Sequence, residues 1–429
     1  MPKHALISIP LDIPDVRVLQ TELTKAGELI LTVESTLPST TCRRCGRTIT
    51  ERHGVDEPRL LRHLPILGRV VYLRIRPKRF RCPWCNDHPT TTQQLDWYDP
   101  NALHTQAYEH HLIVQLVNST LTDVEAKEDV TAAALLGILD RWIATSVDWE
   151  ALAPFTTIGI DEIALLKGHR DFVAVISART ESGELHLLAV LPDRLKTTVL
   201  TWLLNIPAAI RSGITTVCTD IWEGYITAVE EALPDATIVL DRFHVMRHAR
   251  DGVDSLRKQE LRRLKKALPK EAAEELKHTL WPFRKRSEAL DDAEKERLET
   301  LLAASPPLRQ AYTLREQLTT IFDTARSKAD GLRRLRLWRR RVEKSGLSCF
   351  DPFLKLLDTW LDLIANYFIS RQTSGFVEGL NNKLKVLKRR CYGLSNVGRL
   401  FQRLTLDLEG YRRFSPWRTS TCSAVSGNS

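Results

Sequence analysis

The N-terminal part of the chain reads as strands. From about Val16 to Val33, apolar and polar residues alternate weakly around "KAGE", a sequence suited to a hairpin turn. In "RVVYLRIRPKRFRCPWC", Val70, Tyr72 and Arg74 alternate with Val71, Leu73 and Ile75, which predicts a strand running into a cysteine pair. Near Asn101 the period becomes helical. "ALHTQAYEHHLIVQLVNS" puts Leu103, Ala107, His110/His111 and Val114 near one face. "TLTDVEAKEDVTAAALLGILDRWI" predicts a short helix, a break near Asp129 and a second helix from Thr131 to Ile143. A helix, a short turn and a helix after a leading helix outline a helix-turn-helix DNA reader, and a bundle that only packs gives the same pattern.

The next stretch alternates strands with helices. Strand-like runs fall at Thr157–Ile160, Phe172–Ser177 and Leu185–Leu191, with "TESGE" as the turn between the last two. A helix follows from about Lys196 to Asn205. "GITTVCTD" predicts a buried strand ending at Asp220, "IWEGYITAVEEAL" a helix, and "DATIVLDRFHV" a strand ending at Asp241. Three meandering strands, then helix, strand, helix and strand, is the order of a ribonuclease-H-like α/β domain.

From about Phe243 to Ile369 the pattern is helical throughout and punctuated by Pro269, Pro282, Pro306/Pro307 and Pro352. A final amphipathic helix carries Val377, Leu380, Leu384, Leu387 and Cys391 on a narrow apolar face, with Glu378, Asn382, Lys385 and Arg389 on another. The Ser/Thr-rich end is predicted to be disordered. The domain reading is therefore residues 1–98, β-hairpin and zinc ribbon; 99–150, helix-turn-helix; 151–241, first part of the ribonuclease-H-like core; 242–370, all-helical insertion; 371–414, C-terminal helices of the core; 415–429, tail.

Composition narrows the partners. Lys and Arg number 62 against 53 Asp and Glu, a net charge of +9 with a pI near 9.1, which suits a polyanionic partner without requiring one. No apolar stretch follows a basic start, and the longest apolar segments are too short to span a bilayer, so a cytoplasmic, nucleoid-associated protein with no membrane partner is expected.

Eight cysteines include two C-x-x-C pairs, Cys42/Cys45 in "CRRCG" and Cys82/Cys85 in "RCPWC". In a reducing compartment such pairs at strand ends predict four thiolate ligands for a structural Zn²⁺, with His53, His63 and His88 as bystanders. Coincidence or a redox pair is the alternative.

Asp161 in "IGIDE" and Asp220 in "VCTD" stand at the ends of two strands that are neighbours in a ribonuclease-H-like sheet. Converging carboxylates in an open cleft suit Mg²⁺ or Mn²⁺. Two such ions about 4 Å apart serve in-line displacement at phosphorus. An Asp after a strand can equally cap the next helix or turn. A pair of carboxylates neutralises too little charge, so a third acid is expected, and Glu378 is the candidate. Asp241 competes for that place, or else serves as a structural partner. Glu162 should point away from Asp161, and His169 and Asp171 either line the cleft or form a turn. Lys385, Lys388, Arg389 and Arg390 would grip DNA phosphates beside Glu378, although a solvated helical face looks the same.

Three blocks, "GIDEIALLKGHRDFVAVI", "CTDIWEGYITAVEEALPDATIVLDRFHV" and "SGFVEGLNNKLKVLKRRCYGLSN", together with the double C-x-x-C, resemble the ISL-three family of bacterial insertion-sequence transposases over nearly the whole chain. The resemblance implies a DDE transposase with Asp161, Asp220 and Glu378 as the acid triad. It also implies that Asp241 and His244 form an accessory D-x-x-H element. The expected activity is metal-assisted cleavage at the element's inverted-repeat ends and strand transfer into target DNA, by at least a dimer. The rival readings are a non-catalytic DNA-binding regulator and a nuclease that cuts without joining.

Overall fold

The computed structural model describes residues 11–166, 170–269, 274, 276, 278–371, 375–391 and 394–415, and of residues 166, 170, 171, 370 and 375–378 the backbone alone. His169 and the tail beyond Ser415 lie outside the described residues, as do the side chains of Asp171 and Glu378. The chain divides into two units, residues 1–143 with 405–429, and 144–404.

In the first unit, β1 (Val16–Leu23) and β2 (Leu29–Ser35) form the expected hairpin, with Gly27 at a φ of +85° in the turn. They belong to a four-stranded sheet that also contains Arg59–Ile66 and Arg69–Ile75. Its buried face (Leu31, Val33, Leu61, Val71, Leu73 and Ile75) packs on Leu95, Trp97 and Tyr98. Two small sheets carry the cysteine pairs. Helices Gln106–Leu116, Leu121–Glu128 and Ala132–Trp142 follow, each started by a capping threonine (Thr105, Thr120, Thr131). Asp129 takes the left-handed conformation at the break, with a φ of 52°. Leu406 and Phe414, from the C-terminal helix Val397–Phe414, join the core of these three helices.

In the second unit the strands are Phe155–Leu166, Arg170–Thr180, Leu185–Leu191, Thr216–Thr219 and Thr237–Leu240. They form one sheet in which the third, second and first strands run antiparallel and the last two lie parallel to the first, in the order third–second–first–fourth–fifth. The first strand is longer than its hydrophobic run predicts. Asp161 is therefore mid-strand and not at its end, because antiparallel pairing to the second strand continues from Asp161 opposite Val175 to Leu166 opposite Arg170. The parallel pairing on the other side does stop at Ile160.

Helices Lys196–Leu204 and Glu223–Ala232 bury Val199, Leu203, Tyr225, Ile226 and Val229 in the same core as the sheet. The helical region begins with Arg242–Ala267 and continues through Pro306–Thr324, Lys328–Ser345 and Asp351–Ser370. Its helices close on glycines: a Cβ on Gly252 would lie 1.9 Å from the Cys349 carbonyl oxygen, and one on Gly331 would lie 2.1 Å from the Phe368 ring. Asn366, buried, donates its amide to the Ile238 carbonyl at 2.7 Å, which ties helix Asp351–Ser370 to the edge strand. Among the described residues no helix is long and apolar enough to cross a membrane.

Candidate active site and cysteine cluster

Strand register builds the acid cluster. Ile160 pairs with Thr219, and Thr219 with Leu240, so the next residue in each of three parallel strands is an aspartate: Asp161, Asp220 and Asp241. The ladder carries over by one bond, from the Asp241 N–H to the Thr219 carbonyl at 2.9 Å. Such a row at the carboxyl ends of parallel strands is where open α/β sheets place ligands.

Asp161 and Asp241 are both buried, and Asp220 is half-buried. Burial, and then the negative charge of Asp220, pushes the Asp161 carboxyl up to about 8. Asp161 accepts from the Glu162 N–H at 2.6 Å and from the side-chain amide of Asn381. Asp220 accepts from His244 Nδ1 at 3.0 Å, and that bond raises the imidazole above its ordinary range. Asp241 caps helix Arg242–Ala267, accepting from the Phe243 N–H at 2.6 Å. The capping role weighed for strand-end aspartates is thus observed at Asp241. Single ligand atoms of Asp220, Asp241 and His244 also lie within 4.8 Å of one another, close enough to share one metal ion. The donors are mainly carboxylate oxygens, and their mutual repulsion is what a divalent cation relieves, so the residues present fit Mg²⁺ or Mn²⁺.

The helix Gly375–Arg390 carries Glu378 in its first turn. Leu380, Leu384 and Leu387 are buried, as their spacing predicts. Asn382, Lys385 and Arg389 are exposed. Arg390 is half-buried, and the Lys388 ammonium donates to the Ala164 carbonyl at 2.5 Å, so part of its hydrogen bonding goes to the first strand of the sheet. Asn381 was not singled out from the sequence. It and Lys388 fall on the same helical line as positions 377, 384 and 391, and two polar residues inside an apolar stripe were the available signal. Asn381 is buried, and among the described residues its Oδ1 has no hydrogen-bond partner.

Glu162 does turn away from Asp161, as alternation along a strand requires. It holds the Arg194 guanidinium at 2.8 and 3.0 Å. Tyr225 is fully buried; burial first, and then the charges of Glu162, Asp161 and Asp220, raise its phenol above the ordinary range.

The four cysteines of the N-terminal pairs converge. Cys42 and Cys85 Sγ are 4.0 Å apart, Cys45 and Cys82 Sγ 3.7 Å, and all four sulfurs lie within 4.8 Å of one another. A tetrahedral ion with Zn–S bonds of about 2.3 Å needs sulfurs roughly 3.8 Å apart, so the cluster could hold zinc. The Cys45 and Arg44 N–H groups lower the Cys42 thiol to about 6, while burial and the neighbouring thiols raise Cys85. His53 is exposed, His63 bonds Thr105 Oγ1 at 2.9 Å, and His88 bonds the Cys82 carbonyl at 3.0 Å; none of the three joins the cluster.

Comparison with known proteins then bears on identity. The chain is 26% identical over 377 residues to the transposase for insertion sequence element IS1001 of Bordetella parapertussis, covering 87% of this chain and 89% of that one. It is 26% identical over 406 residues to the transposase for IS1557 of Mycobacterium tuberculosis, covering 89% of each. Among solved structures, the Drosophila P element transposase strand transfer complex matches with a TM-score of 0.38 and 11% identity, over 72% of this chain and 92% of that one, a likeness too distant to carry weight. The transposase model of the ISL-three group matches residues 158–404, which span the aspartate row, the helical region and the helix bearing Glu378. The chain belongs to the ISL-three family of transposases.

Proposed function

We propose that this protein is a DNA transposase that cuts at the terminal inverted repeats of its element and joins the freed 3′-hydroxyl to target DNA. The observation that carries the reading is the aspartate row, with Asn381 reaching Asp161 from one helical turn beyond Glu378. The strand order third–second–first–fourth–fifth supports a ribonuclease-H-like core interrupted by a helical insertion.

In this reading Asp161, Asp220 and Glu378 would hold two Mg²⁺ or Mn²⁺ ions. When bound, such cations supply charge stabilisation to the attacking and leaving oxygens of an in-line displacement. Asp241 fixes the start of its helix, and His244 orients Asp220. Asn381 orients Asp161, leaving its second carboxylate oxygen directed at the Glu162 N–H. Both steps are displacements at phosphorus, so one triad can serve both.

The four thiolates would hold a structural Zn²⁺, and the ribbon and the three-helix segment would dock the element end. Lys385 and Arg389, both exposed on the Glu378 helix, would meet backbone phosphates, and Lys388 and Arg390 would do so only from their less accessible places. Two element ends must be paired, which favours a homodimer on DNA.

The test is to incubate protein, element-end duplex and target plasmid with Mg²⁺ or Mn²⁺. Joined products that vanish in Asp161→Ala, Asp220→Ala and Glu378→Ala support the reading. Cutting without joining would indicate a nuclease, and binding without cutting a regulator. Joining by Glu378→Ala at the wild-type level would remove Glu378 from the triad and turn the test to Asp241→Ala.

A further inference from the structure

Linked through the chain to two of the acids stands an aromatic and cationic stack that the chemistry above does not use. Arg194 lies with its guanidinium carbon 4.2 Å from the Phe172 ring centroid and 4.4 Å from that of Trp222. Its two hydrogen bonds to Glu162 fix it in the plane of a carboxylate. The stack is thus anchored at the residue after Asp161 and, through Trp222, two residues after Asp220. The Trp222 N–H donates to the Asp220 carbonyl at 2.8 Å, which holds the two residues in one tight turn.

Helix capping does not explain a tryptophan at position 222. It is the N-cap of helix Glu223–Ala232 and makes no side-chain capping bond, at a position that ordinarily favours Ser, Thr, Asp or Asn. The helix buries Tyr225, Ile226 and Val229, but the indole stays 40% exposed. Room for it is built in: a Cβ on Gly224 would lie 2.8 Å from the indole Nε1. A large aromatic surface open to solvent, stiffened by a cation and joined to Asp220 by a two-residue turn, is the makeup of a base-stacking platform.

We infer that Trp222, braced by Arg194 and Phe172, stacks on an unpaired nucleobase of the DNA strand being cut. A base can reach an indole face only after leaving the duplex, so the platform selects a frayed or flipped nucleotide next to the scissile phosphate. Stacking is indifferent to base identity, and it positions the strand without adding sequence readout. Trp222 is a positioning residue in this account. The inference rests on reading the aspartate row as the cutting site.

The test uses the full-length protein with Ca²⁺ in place of Mg²⁺. The probes are element-end duplexes with 2-aminopurine at each of the three nucleotides on either side of the cut, and a matching set with an unpaired end. Affinity is followed by anisotropy and stacking by 2-aminopurine emission. One position should be quenched several-fold by wild-type protein, more strongly with the unpaired end. Trp222→Ala should abolish that quenching and weaken binding of the unpaired-end probe by about 5- to 150-fold, while Trp222→Phe should keep most of both. Gly224→Ala keeps the tryptophan and favours the helix, yet should lose the quenching because the added Cβ pushes the ring aside. Thermal melting checks each variant, and if Trp222→Ala melts early the Phe and Gly224 variants decide. Tight duplex binding with no quenched position, or quenching that persists in Trp222→Ala, overturns the inference and leaves the cutting site standing. Absence of any duplex binding would instead remove the transposase reading itself, and the platform with it.

Discussion

The cysteine cluster gives the sharpest stability prediction. Its surroundings have almost no core of their own: Ile49 is 0% and Phe80 2% exposed, and the remaining members of that cluster are Cys42, Cys82 and Cys85. Burying two such side chains contributes about 3–6 kcal/mol. A structural zinc held by thiolates is worth an apparent 10–16 kcal/mol or so at neutral pH, so the metal outweighs the apolar contacts by roughly a factor of two or more. Removing it by chelation, or by Cys82→Ser, should therefore unfold this module alone. Metal analysis by mass spectrometry should find one zinc per chain. Amide exchange should lose protection at Thr40–Thr41, Thr48–Ile49, Lys78–Arg81 and Thr90–Thr92 after chelation. Protection at Phe155–Leu166 and Thr216–Thr219, in the other unit, should be unchanged. A zinc-free protein with those small strands still protected would refute the reasoning.

Three further outcomes follow from single contacts. Burial lowers the His63 imidazole to about 4, and its Nδ1 accepts from a Thr105 hydroxyl that itself caps helix Gln106–Leu116. Because the folded value is depressed, the stability is intact above the ordinary histidine range and is lost as pH falls from about 6.5 toward 4, by up to about 3 kcal/mol. Urea melts of the wild type and His63→Leu should show that the slope over this window belongs to His63. Gly252→Ala should lower stability by about 1–3 kcal/mol despite alanine's better helix propensity, since the Cys349 carbonyl occupies the space; a thermal melt decides. Asn381→Ala removes a hydrogen bond to a buried acid that a bound cation would keep ionised, worth about 1.5–3 kcal/mol. Single-turnover cleavage should fall roughly 10- to 150-fold with DNA affinity unchanged.

Much of this site was legible in the sequence, for physical reasons. Asp220 and Asp241 are readable because alternation and turn residues fix where their parallel strands stop, and C-x-x-C pairs are readable because metal geometry fixes ligand spacing. Register was not readable. Only the pairing of Ile160 with Thr219 and of Thr219 with Leu240 puts Asp241 in the same row as the other two aspartates. The extension of the first strand to Leu166 also lay beyond the pattern, because its antiparallel partner and not its own hydrophobicity sustains it. On the Glu378 helix, the wheel found the leucines but not Asn381, since a polar residue in an apolar stripe is assigned only when its partner is known. Arg194 and Trp222 are 28 residues apart in the chain, and nothing local announces that they stack.

The most direct test of the account is cleavage of an element-end duplex by Asp220→Asn in Mn²⁺, with folding checked by melting. The substitution keeps shape and the possibility of a hydrogen bond to His244 but removes the charge on which cation binding depends. Loss of several kcal/mol of stabilisation, roughly a thousandfold or more in rate, is the expected result. Cleavage by a folded Asp220→Asn protein at the wild-type rate would contradict it.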